Sequence, residues 1–130
     1  MTTIQIGDIV KASYNSGVYI GKVLEDRKNS WLVEVLAIDK HPTQGDLHNL
    51  GHIDKGPFHE RKALSFREKM NARKRKTSLY QAAIPDYNDS LHKSIKQLRQ
   101  ELQSENTDYN RAALKKLTDL ETHFYYKHKK

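Results

Sequence analysis

Apolar positions in the first forty residues recur with the short period of strands. Ile4, Ile6, Ile9 and Val10 flank Gly7-Asp8 and lead to Tyr14. Asn15, Ser16 and Gly17 then read as a turn, because Asn and Gly accept positive φ at little steric cost. Val18, Ile20, Val23 and Leu24 follow, with Gly21 inside the run, where a bulge or tight bend is expected. A polar turn over 26–30 leads to a third run over 31–38. Its Leu32, Glu34 and Leu36 share one face, and Trp31, Val33, Val35 and Ala37 share the other. Three such strands joined by short turns predict an antiparallel meander. A meander must protect its edges, and closure into a small SH3-like barrel is the economical solution.

The pattern then breaks into a loop of roughly twenty residues, over 40–58, a length that is uncommon in compact domains unless the loop is functional or packed by its own side chains. Beyond it, 59–67 supports two readings. Leu64 and Phe66 alternate as in a closing strand, whereas Phe66 and Met70 lie one helical turn apart. The reading adopted is a short strand followed by a helix over about 70–80. Further on, the period changes. Leu91, Ile95, Leu98 and Leu102 step by four, three and four, and Ala113, Leu117, Leu120 and Phe124 repeat that spacing. With N-cap candidates between Ser104 and Thr107, these are two amphipathic helices in an antiparallel hairpin. The expected fold is α+β. It comprises an SH3-like β-barrel over 1–68, a basic helical connector over 69–84 and the helical hairpin over 85–127.

A chain of 130 residues is one domain's worth, large enough for a core without disulfides or metal. It contains no cysteine, which removes thiolate ligands, Cys nucleophiles and disulfides together and suits a reducing cytoplasm. The N-terminus lacks a basic-then-apolar signal pattern, and no apolar run approaches the ~20 residues of a membrane span. A soluble, cytoplasmic protein is expected. The net charge is +7, but its distribution says more. Residues 1–60 carry six basic and eight acidic side chains, whereas 61–84 carry eight basic and one acidic. The excess lies in the connector, around Arg73, Lys74, Arg75 and Lys76. A nucleic-acid binder spreads cations over a docking face, so this distribution lowers that reading.

Four of the seven histidines, His41, His48, His52 and His59, fall within nineteen residues, beside Asp46. Their number suffices for a metal site, yet the spacing matches no ligand signature, and Pro42, Gly45 and Gly51 oppose a helix. The favoured alternative is a folded loop in which Asp46, His48 and Asn49 cap turns and hydrogen-bond the backbone. No metal or cofactor is expected. Neither a nucleophile elbow nor a Gly-rich phosphate loop is present, so the protein is read as a non-enzyme. His92 is the nearest formal phosphoacceptor and lacks a catalytic context; Asp46 lacks the α/β sheet that a receiver aspartate needs. Tyr14, Tyr19 and Trp31 are candidates for a barrel groove, with core packing equally open to Trp31.

One set of residues has a family likeness. Ile6–Val10, the Tyr19–Gly21 and Val35–Ala37 segments, Lys40–Pro42, Gln44–Asn49, Phe58–Arg61, Ala63-Leu64, Phe66–Glu68, Ile84–Tyr87 and Ser90-Leu91 resemble the kinase-associated lipoprotein B family of Gram-positive bacteria. The likeness runs from about residue 5 to 120, and its most distinctive blocks are 41–49 and 58–61. It implies an SH3-like barrel with appended helices. It also implies an accessory protein that promotes a sensor histidine kinase's input to the phosphorelay leading to sporulation. No catalytic residues carry over. Despite the word lipoprotein, the sequence has no cysteine for a thiol-linked lipid, so membrane association is expected only through a kinase partner.

The resulting expectation is a non-enzymatic adaptor whose partner is a sensor histidine kinase, with a second copy of the chain as another candidate. Its loop, through His41, Gln44, Asp46, His48, Asn49, His59 and Arg61, is a candidate recognition surface. The hairpin seam of Leu91, Ile95, Leu98, Leu102, Leu117, Leu120 and Phe124 is the candidate docking surface. Arg73, Lys74, Arg75 and Lys76 are candidate contacts to an anionic partner. The alternative is a small RNA- or ribosome-associated barrel that uses Arg61 with those four cations.

Overall fold

The structure is a computed structural model that describes residues 3–44 and 61–125, apart from the Phe124 side chain. Strands β1 (Ile9–Tyr14), β2 (Gly17–Asp26) and β3 (Ser30–Lys40) form the expected antiparallel meander. The Tyr14–Gly17 pairing leaves a two-residue turn in which Asn15 and Ser16, not the glycine, take positive φ, at 46° and 69°. Gly17 is required for another reason. A Cβ there would lie 2.7 Å from the Tyr19 hydroxyl. Gly21 marks a bulge as expected, and its Cβ would sit 2.4 Å from the Glu34 carbonyl oxygen, so β2 and β3 approach too closely for a side chain. Three register shifts along this pair leave Leu24, Leu36 and Asp39 unmatched. Such bulges sharpen twist, which helps the sheet curl on itself.

The closing strands come from a segment read as helical. Residues 69–84 hold β4 (Lys69–Arg73), a 3-10 turn (Lys74–Lys76) and β5 (Thr77–Leu79), so the expected helix over about 70–80 is corrected. In β4, Met70 and Ala72 are buried while Lys69, Asn71 and Arg73 are exposed, which is a period of two. Two modest apolar side chains among cations gave that alternation little weight against the Phe66–Met70 helical spacing. The strand order is β4-β3-β2-β1-β5. Thus β4 and β5 occupy opposite edges of one sheet, yet only three residues join them. A 3-10 turn of that length advances about 6 Å. The edges must therefore be brought together, and the sheet closes as an SH3-like barrel. Leu64 and Phe66 belong to no strand.

Helices α1 (Tyr87–Gln103) and α2 (Asp108–Leu120) form the second layer. Asp86 caps α1 by accepting from the Asp89 N–H, and Thr107 caps α2 by accepting from the Asn110 N–H. A π-helical turn (Glu121–Tyr125) extends α2. Helix α1 packs on β3 and against α2. One apolar core results, running from Val10, Val23, Val33 and Val35 in the barrel to Leu91, Ile95, Ala113 and Leu117 in the helices. Ser90 locks the layers together: its hydroxyl accepts from the Ile38 N–H at 3.0 Å and donates to the Tyr87 carbonyl at 2.7 Å.

Candidate functional site

The described ends of the long loop meet in a polar clasp. Residues 61–65 carry no strand ladder, so their backbone groups need other partners. Gln44 supplies several. Its side-chain oxygen accepts from the Arg61 N–H at 2.9 Å, and its amide donates to the Arg61 and Pro42 carbonyls at 2.9 and 3.1 Å. The Tyr125 hydroxyl accepts from the Ala63 N–H at 2.9 Å, and the Tyr19 hydroxyl accepts from the Leu64 N–H at 3.3 Å. Tyr87 donates to the Leu64 carbonyl at 2.5 Å, and Tyr109 donates to the Gln44 carbonyl at 2.8 Å.

His41 completes the clasp. Its Nδ1 lies 3.0 Å from the Pro42 carbonyl oxygen, a group that only accepts, so Nδ1 carries the proton and donates. Nε2 is then the acceptor for the Tyr125 hydroxyl, 2.8 Å away. Burial lowers the His41 pKa to about 4, with the Pro42 hydrogen bond acting in the opposite sense. The imidazole is neutral, as this chain of donors requires. Burial likewise pushes the Tyr19 phenol up to about 12 and raises that of Tyr87. These shifts arise in a network that pins the backbone, and Tyr87 also lines an open cleft of about 440 Å³ with Ser65, Glu68 and Tyr125. Among the described residues, no three His, Asp or Glu side chains converge as metal ligands.

The clasp changes the reading of the loop. His41 and Gln44 are each 1% exposed, so they hold the fold and offer no recognition surface. Arg61 enters through its backbone. Asp46, His48, Asn49 and His59 lie outside the described residues. Sequence reasoning gave Tyr19 a groove role and missed the part that it, Tyr87, Tyr109 and Tyr125 play in the clasp, although one signal was present. The chain has seven Tyr against three Phe, and a buried Tyr in place of Phe points to a partner for its hydroxyl.

The hairpin seam is corrected more sharply. Leu91, Ile95, Leu98, Leu102, Leu117 and Leu120 are all buried, none above 8% exposed. They are consumed against β3 and between the helices, so these six residues offer no free apolar face to a partner. The Phe124 side chain lies outside the description. Tyr19 and Trp31 are core residues rather than groove lining, while Tyr14 is half-buried at the surface.

The basic residues do reach the surface together, on a strand end and a 3-10 turn rather than an α-helix. Arg73 ends β4 and Lys74, Arg75 and Lys76 form the 3-10 turn. Lys74 is engaged: its Nζ lies 2.6 Å from Asp26 Oδ1 and 4.2 Å from the centroid of the Trp31 ring. Lys74, as donor, holds the Asp26 carboxyl below its ordinary pKa. Arg73, Arg75 and Lys76 are exposed. They border two open clefts of about 700 and 450 Å³, on either side of Asn71, which face the 27–29 turn and the 15–16 turn respectively.

An SH3-like barrel clasped to a helical hairpin, with His41 turned inward and the cations of the 73–76 turn outward, defines the structural class. The chain belongs to the kinase-associated protein B family, whose model matches residues 14–125. It is 38% identical over 125 residues to kinase-associated lipoprotein B of Bacillus subtilis (strain 168), covering 96% of this chain and 98% of that protein. The crystal structure of kinase-associated protein B from Bacillus cereus superposes with a TM-score of 0.80 at 32% identity, covering 94% of this chain and 98% of that one. Among the described residues, no helix is long and apolar enough to cross a membrane.

Proposed function

We propose that the protein is a non-enzymatic accessory factor that binds a sensor histidine kinase and modulates its entry into a phosphorelay of the kind that controls sporulation. Membership of a family named for association with a kinase, matched over nearly the whole chain, is the observation that carries this reading. The build of the molecule is in keeping with it. His41, Tyr19 and Tyr87, whose pKa values burial shifts, are tied up in the clasp, Asp26 is paired with Lys74, and the accessible chemistry is a charged surface suited to binding. The protein then acts in the cytoplasm and reaches the membrane only through the kinase.

The experiment combines two readouts. The full chain is used to capture partners from its source cell, and the purified protein is titrated against the cytoplasmic region of the sensor kinase recovered. Saturable binding with a change in the rate of kinase autophosphorylation is expected. A kinase that neither binds nor changes its rate overturns the proposal.

A further inference from the structure

The two clefts beside Asn71 carry charge that the fold leaves uncompensated. Lys28, Arg73, Arg75 and Lys76 are exposed, and among the described residues none of them forms an ion pair. The carboxylates closest in sequence to Lys28 are already taken, Glu25 by Arg27 and Asp26 by Lys74. Four cations around one pair of clefts repel one another, and an anionic occupant relieves that repulsion.

The frame that presents them is fixed. Lys74 is held between Asp26 and the Trp31 ring, the Thr77 hydroxyl donates to the Arg73 carbonyl at 2.8 Å, and Asn71 accepts from Arg27 at 3.2 Å. Arg73 and Asn71 line both clefts, so the two form one continuous surface across the barrel's end. We propose that this double cleft is a docking groove for an acidic segment of a partner protein. The assignment does not depend on which protein the partner is.

Carboxylates suit the site because guanidinium forks donate to them in a bidentate fashion, and because hydroxyl and amide side chains such as Ser13, Asn29 and Asn71 can serve a peptide backbone. A single-stranded nucleic acid asks for more: a run of aromatic faces for stacking and a long cationic track. Among the described residues, Tyr14 is the one aromatic that lines either cleft, and it is half-buried. Exposed ion pairs are individually weak, so the binding expected is multivalent and salt-sensitive.

The test uses isotopically labelled full chain, with a short peptide of alternating Glu and Gly, its Gln-Gly counterpart and a short uridine RNA as probes. Amide resonances of 13–16, 28–30 and 71–76 are expected to shift with the Glu peptide and not with the Gln peptide. The double variant Arg73→Glu/Arg75→Glu should weaken that binding at least about tenfold, whereas Lys96→Glu/Lys115→Glu, an equal charge change on the exposed helix faces, should leave it within about twofold. Should the cleft variant misfold, Arg75→Ser alone, on a turn with no buried residue, reads the same effect at smaller size. Equal weakening by both double variants, or shifts scattered outside the clefts, reduces the attraction to general charge and overturns the proposal. Tighter binding of the RNA through the same amides at the same salt overturns it in favour of a nucleic-acid groove.

Discussion

The imidazole Nε2 of His41 accepts a hydrogen bond from the hydroxyl of Tyr125, eighty-four residues further along the chain, at 2.8 Å. The two rings also meet edge-on, with centroids 5.7 Å apart. Through this pair the end of β3 is tied to the C-terminal turn, and through the same hydroxyl the turn is tied to Ala63. Replacing Tyr125 by Phe leaves the Ala63 N–H and His41 Nε2 without partners while keeping the ring. A loss of about 1–3 kcal/mol in urea unfolding is expected, with far-UV circular dichroism unchanged. An unchanged midpoint means that the clasp does not contribute to stability.

The neutral His41 makes stability depend on pH. Unfolded, the imidazole titrates near 6.5, and in the fold at about 4. Between these values the unfolded chain binds a proton that the folded chain refuses, so stability rises with pH across the window. It is complete above about 6.5 and falls as the pH drops toward 4, by up to about 3 kcal/mol. Urea midpoints measured across that range should follow the slope, and His41→Gln should flatten it. An equal slope in both proteins would assign the dependence to other groups.

Ser90→Ala removes the acceptor for the buried Ile38 N–H, the hydrogen bond that joins barrel to helix. A cost of about 1–3 kcal/mol is expected. The diagnostic readout is local: amide exchange at Ile38 should accelerate more than exchange in β1. Uniform acceleration would mean that the barrel and hairpin open as one unit.

Gly21→Ala forces a Cβ to within 2.4 Å of a backbone oxygen on β3, where no flexible side chain can yield. The strands must part, at a cost of about 1–3 kcal/mol or more. Gly17→Ala meets the end of the Tyr19 side chain instead, with its hydroxyl 2.7 Å away. It should cost less, and thermal unfolding of the two variants side by side tests the order. Equal costs would show that Tyr19 is as unyielding as the β3 backbone.

Legibility followed the range of the interactions. The alternation over 31–38 assigned both faces of β3 correctly, because Trp31, Val33, Val35 and Ala37 are buried and Leu32, Glu34 and Leu36 only partly so. The four-three-four steps assigned both helices and, as far as Leu120, their seams, since helical periodicity needs only neighbours along the chain. For β4 the signal was two residues, Met70 and Ala72, and a strand so short is defined by the edge it meets rather than by its own pattern.

What covers an apolar seam is likewise absent from its spacing. The periodicity of Leu91 to Leu102 is the same whether β3 or a partner lies against it, and the burial of the seam settled the matter. The histidine-rich stretch behaves similarly: composition placed His41 and Gln44 in a loop, but their partners are Tyr125 and Arg61, far along the chain.

The sequence by itself determined the α+β class, the three-strand meander, the two helices and the family, because each rests on local periodicity or on a contiguous motif. Only the tertiary structure decided that a three-residue turn closes the barrel, that the hairpin seam faces inward and that His41 is a neutral clasp residue. Those outcomes depend on which distant groups meet, and a buried polar group takes its protonation and its role from the partners it finds there.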